Sequence, residues 1–153
     1  MSLVIGIAMR EKRRAPMALC ESAKVSFKNG IGYDSRGAMQ NNRQITVMTK
    51  ENWEIICTEL KCEIPWTTRR ANILIEGLDL KNTTGQQLRI GNFCLEITGK
   101  MYPCNRMDEQ FNGLTNALTP DWRGGVTCKL ITEGEIKLGD LVSLEPKQEN
   151  STD

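Results

Sequence analysis

From residue 71 onward the chain is one short strand-like segment after another, and that rhythm constrains the fold more than any single motif. The segments are ANILIEG (71–77), QQLRIG (86–91), FCLEITG (93–99), GVTCKLIT (125–132), GEIKLG (134–139) and DLVSLE (140–145). Turn pairs at Gly91-Asn92, Glu133-Gly134 and Gly139-Asp140 punctuate them, with turns roughly every eight to twelve residues. Strands this short cannot bury a face alone, so the pattern predicts a β-barrel or a sandwich. The first half adds LVIGIAM (3–9), MALCESAKVSF (17–27) and RQITVM (43–48). NGIGYDSRG (29–37), with glycines at 30, 32 and 37, reads as a loop.

The clearest helix follows residue 49. Thr49 can cap it and Glu51 suits its first turn. Trp53, Ile56, Cys57, Leu60 and Ile64 recur at helical spacing on one face, and Pro65 is expected to end it. One stretch breaks the β rhythm. MYPCNRMDEQFNGLTNALTPDWRGG (101–125) is long and rich in Asn, Pro and Gly, and is expected to be an irregular functional excursion. Residues 1–145 are expected to form one domain, with 146–153 as a disordered polar tail.

Composition excludes several functions. With 20 basic and 19 acidic residues the net charge is +1, so no bulk nucleic-acid surface is expected. The chain has no histidine, which removes Cys-His and Ser-His-Asp catalysis. Its six cysteines, at 20, 57, 62, 94, 104 and 128, form no Cys-x-x-Cys pair, which argues against a zinc ribbon. MSLVIGIAM is a short apolar run followed by its charges, and reads as a first strand and not a targeting segment. No run is long enough to span a membrane. A reduced, cytoplasmic protein is expected.

Strand alternation sorts the cysteines. Cys128 shares a face with Val126 and Leu130 and is expected in the core. Cys94 falls with Glu96 and Thr98 on the less apolar face, Cys57 packs on the helix, and Cys62 lies off the helix's apolar face. Cys104 differs from all of them. It follows Pro103 just beyond a strand end, with Lys100 and Arg106 near in sequence. Cationic neighbours favour the thiolate, which is the reactive and ligating form of cysteine. Arginines are also gathered in motifs: Arg13 and Arg14 in REKRRAP, Arg69 and Arg70 in WTTRRANI, and Arg123 before Gly124-Gly125. Arginine suits bidentate contacts with phosphate. Cysteine and arginines together suggest a soft-metal or sulfur centre beside an anionic group.

These motifs are similar to those of the MOSC domain, the module named for the C-terminal region of molybdenum cofactor sulfurases. The similar pieces are YDSRG (33–37), RQITV (43–47), WTTRRANILIEGLDL (66–80), GQQLRIG (85–91), LEITGKMYPCNRMDE (95–109), LTPDWRGGV (118–126) and GEIKLGDLV (134–142). The resemblance implies a mainly β fold, a twisted β-barrel of the PK β-barrel-like kind with a few short helices. It also implies that Cys104, which matches the family's cysteine, carries sulfur or ligates molybdenum. Basic residues would then hold the phosphate of a molybdenum cofactor. Arg70 and Asn72 match the family's Arg-x-Asn motif, and Arg36, Arg123 and Arg14 match its basic or loop positions. The pyridoxal phosphate associated with the larger relatives has no Schiff-base context here.

Three functions compete, the first two implied by the resemblance. In the first, a molybdenum-cofactor module with Cys104 as metal ligand reduces N-hydroxylated compounds, with electrons from a separate redox partner. In the second, Cys104 holds a persulfide, received from a sulfurtransferase, for metal–sulfur assembly. In the third, the barrel is a non-enzymatic interaction module.

Overall fold

The computed structural model describes residues 1–12, 15–103 and 107–146. Eleven strands dominate it: β1 Leu3–Met9, β2 Ala18–Leu19, β3 Ser22–Ser26, β4 Gly30–Ile31, β5 Ile45–Thr49, β6 Ile73–Glu76, β7 Gln87–Ile90, β8 Phe93–Lys100, β9 Val126–Thr132, β10 Gly134–Lys137 and β11 Val142–Glu145. Three short helices, α1 Lys50–Leu60, α2 Met107–Gln110 and α3 Leu114–Leu118, accompany them. The large sheet runs β11-β7-β8-β9-β5-β6-β1-β2, and β10-β3-β4 forms a smaller one.

The large sheet curls until its two ends meet. A bridge pairs Leu3 with Leu141, and the Val4 N–H donates to Asp140 O at 2.9 Å. Closure of this kind satisfies the edge groups that would otherwise invite foreign strands. The fold is therefore the expected twisted β-barrel with few helices. β5 and β6 are parallel, which demands a long crossover. Residues 50–72, with α1 and a 3₁₀ turn at Trp66–Arg69, supply it.

Alternation along the strands builds two cores. Ile45, Val47, Ile73, Ile75, Leu95, Ile97, Val126 and Cys128 point into the barrel. Met48 and Leu74, with opposite parity, point outward under Trp53, Ile56, Leu114 and Leu118. That helical layer explains why every residue of β5 is buried. Gly125, at the entry to β9, marks a close approach to the neighbouring strand β5. Its φ is +86°, and a Cβ there would lie 2.1 Å from Val47 O.

Several sequence expectations change in detail. The segment 17–27 is not one strand, because β2 pairs with β1 while β3 pairs with β10. The chain changes sheets at Cys20, whose N–H donates to Ile7 O. The 29–37 loop contains β4, with both of its residues buried. Thr49 caps α1 as expected, accepting from the Asn52 N–H, but the helix stops at Leu60, well before Pro65. Cys94 keeps its polar-face parity, outside the barrel core, yet is buried, and its Sγ donates to Gln87 Oε1 at 3.4 Å. Part of the long excursion is core: Leu114, Ala117 and Leu118 of α3 are buried against α1. Residues 147–153 of the expected tail lie outside the described residues.

Candidate functional site

The YDSRG loop is anchored by its aspartate. Asp34 is 2 % exposed, and its Oδ1 accepts from the Arg10 N–H at 2.9 Å while Oδ2 accepts from the Gly37 N–H. The Ser35 N–H donates back to Arg10 O. These bonds stitch the loop to the end of β1 and present Arg36 beside a cleft of about 430 Å³. Arg10, Ser35, Arg36, Met39, Asn41 and Arg43 line that cleft.

Three guanidiniums act on one another here. Arg69 is 3 % exposed and donates through Nε and Nη2 to Gly124 O, at 3.1 and 2.8 Å. Burial, then the charges of Arg36 and Arg43, lower its pKa to about 10, so it stays cationic at neutral pH. Arg36 is lowered too, first by burial and then by Arg43, and Asp34 only partly offsets this. Asp34 uses its oxygens on backbone N–H groups, as above. Among the described residues, none of the three arginines forms an ion pair. A cluster that repels itself, with Asp34 offsetting only part of that repulsion, is stabilised by an arriving anion.

The cluster sits where the cysteine loop leaves the barrel. Arg43 Nη2 donates to Met101 Sδ at 3.8 Å, and the Met101 N–H donates to Gly125 O. Met101 thus lies between Arg43 and the Gly124-Gly125 pair that Arg69 holds. Next along the chain, Lys100 Nζ lies 4.9 Å from the centroid of the exposed Tyr102 ring. Cys104, Arg106 and Arg14 lie outside the described residues.

The other sequence candidates have separate engagements. Arg70 adopts a left-handed conformation at the end of the 3₁₀ turn, φ 66°, and its Nη2 donates to Ala15 O. Asn72 ties three strands together: its Oδ1 accepts from the Thr46 N–H, and its Nδ2 donates to Ala8 O. Arg123 pairs with Glu59 of α1 at 2.7 Å and donates to Ala117 O. Gly124 O receives Arg69, and Gly125 packs on β5. Of the candidates among the described residues, only Arg36 belongs to the arginine cluster.

Sequence reasoning missed Arg10 and Arg43 as cleft or cluster residues, and named Arg69 only together with Arg70. Arg43 carries a faint signal, since it heads the RQITV motif. Arg69 and Arg70 are neighbours, and their sequence context alone does not say which one turns inward.

A family model for the MOSC domain matches residues 34–143. No curated protein matches the chain by sequence. Among solved structures, YuaD from Bacillus subtilis superposes with a TM-score of 0.79 at 18 % identity, covering 97 % of this chain and 98 % of that one. YiiM from Escherichia coli gives 0.71 at 13 % identity, covering 97 % of this chain and 72 % of its own. YiiM from Geobacillus stearothermophilus gives 0.75 at 13 % identity, with coverages of 94 % and 75 %. At these identities the likeness establishes a shared fold, and the family model, which spans most of the chain, establishes descent: this chain belongs to the MOSC domain family.

Proposed function

We propose that this protein is a molybdenum-cofactor-binding module in which Cys104 supplies the thiolate ligand and the arginine cluster receives the cofactor phosphate. The observation that carries this is the unpaired trio Arg36, Arg43 and Arg69, next to the strand end from which the Cys104 loop departs. The donor set fits such a group better than a bare ion. Among the described residues, no three His, Cys, Asp or Glu side chains gather to cage a metal. A metal carried on its own organic ligand needs only one protein thiolate, a soft donor, and cations for the phosphate.

The chain's own residues divide the work. Arg36 and Arg43, at the cleft, donate to phosphate oxygens. Arg69, beneath them, holds Gly124 O and adds positive potential in a low-dielectric position. Lys100 and Arg106 favour the Cys104 thiolate. When bound, the cofactor would supply two-electron oxygen-atom chemistry, such as reduction of an N-hydroxylated compound, with electrons from a separate partner. Among the described residues, no helix is long and apolar enough to cross a membrane.

The test is metal analysis of protein purified from a host that makes the cofactor. Near-stoichiometric molybdenum that disappears in Cys104→Ser supports the proposal. Cyanide-labile sulfur on Cys104 without molybdenum would replace it with persulfide transfer. Neither molybdenum nor labile sulfur would leave an interaction module.

A further inference from the structure

We propose that Cys57 and Cys62 form a vicinal dithiol site that a low-molecular-weight disulfide oxidises to an intramolecular disulfide, away from the arginine cleft. The feature that pairs them is the way α1 ends. Lys61 takes a left-handed conformation, φ 54°, and its N–H donates to Thr58 O. The Cys62 N–H then donates to Cys57 O at 3.1 Å. These two bonds make a Schellman cap, in which the side chains at the two linked positions characteristically touch. Here both are cysteines. By standard bond lengths, the 3.1 Å contact caps their Cα separation at about 7 Å. A disulfide usually spans about 4.4–6.8 Å between Cα atoms.

The surroundings agree. Both cysteines line one concavity of about 640 Å³, together with Trp53, Lys61 and Ile64. Cys57 Sγ donates to Ile64 O and Cys62 Sγ to Glu63 O, each at 3.7 Å, so adjacent carbonyls steer the two sulfurs. Both cysteines are free thiols, with Cys62 exposed and Cys57 half-buried. Reaction therefore starts at Cys62. Its thiolate attacks one sulfur of the small disulfide, releasing one small thiolate and leaving a mixed disulfide. The Cys57 thiolate then attacks Cys62 Sγ and releases the second. Two protein thiols are oxidised and one disulfide is reduced to two thiols, which take the two protons.

Trp53 supplies a local reporter, because its Nε1–H donates at 2.7 Å to the same Ile64 O that Cys57 uses. The experiment incubates the full chain with oxidised glutathione, quenches it with acid and maps the peptides. The expected product is a Cys57–Cys62 bridge, with a change in tryptophan emission that dithiothreitol reverses. Cys57→Ser should instead accumulate the mixed disulfide on Cys62, and Cys62→Ser should slow modification of Cys57 at least tenfold. Circular dichroism confirms that both variants fold. A wild-type chain that stays glutathionylated at Cys62, bridges Cys62 to another cysteine or a second copy, or does not react overturns the proposal.

Discussion

Arginine does opposite things on two sides of this barrel. On the helix-covered side, Arg123 faces Glu59 at 2.7 Å and a backbone carbonyl, above a layer built by Trp53, Ile56, Leu114 and Leu118. Charge and hydrogen-bonding capacity there are answered by neighbouring groups. At the end of β8, Arg36, Arg43 and Arg69 face one another, and burial together with mutual repulsion depresses the pKa values of Arg36 and Arg69. The first region is complete without a ligand. The second holds positive charge that, among the described residues, the buried Asp34 carboxylate offsets only in part. The lesson is that residue type does not mark a site, but an unanswered charge does.

The sharpest way to break the complete side is to hollow it. Trp53→Ala removes a ring that is 7 % exposed and its bond to Ile64 O, and should destabilise the fold by about 3–5 kcal/mol. Urea denaturation measures this, and a loss below about 1 kcal/mol would mean that the helical layer is not a core. The incomplete side should respond in the reverse sense. Arg36→Ala should leave the denaturation midpoint within about 0.5 kcal/mol, or raise it, because a like charge is removed. It should lower molybdenum affinity ten- to a hundredfold, the equivalent of about 1.5–3 kcal/mol for a charge-assisted contact. Metal content of the purified variant reads this. Unchanged content would reduce the cluster to an electrostatic accident.

A pH ramp sharpens the contrast from a third direction. Burial pushes the Cys128 thiol far up, so the folded chain keeps a proton that the unfolded chain releases above about pH 8.5. The native state then binds more protons than the unfolded one, and stability falls as pH rises. By pH 10 the loss relative to neutral pH should reach about 2 kcal/mol, the slope rising toward about 1.4 kcal/mol per pH unit. Cys128→Ala should flatten the slope, and an unchanged slope would assign it elsewhere. Arg69 works in the opposite sense, but only as pH passes about 10. The smallest effect belongs to Arg123→Ala. Its partner Glu59 is half exposed, so the pair is worth at most about 1 kcal/mol, and molybdenum content should not change. A tenfold loss of metal in this variant would erase the difference between the two sides.

What the sequence determined by itself was local and periodic. Alternation at Val126, Cys128 and Leu130 was enough to bury Cys128, since a strand sends successive side chains to opposite faces. Thr49 declared the start of α1 because its hydroxyl can accept from Asn52. The motifs from YDSRG to GEIKLGDLV carried the family and, with it, the barrel. The end of α1 was less legible: Pro65 was a visible stop, but a left-handed Lys61 ended the helix first. Tertiary structure alone decided which charges meet. Arg69 and Arg70 are adjacent in sequence, yet one is buried on Gly124 O and the other reaches Ala15 O, because the 3₁₀ turn ends between them. Arg36, Arg43 and Arg69 come from three separate segments, and Asn72, read as a ligand position, is occupied in joining strands. Periodicity is a property of neighbours along a chain. Electrostatic coupling depends on distance and burial, and those exist only once the barrel has closed.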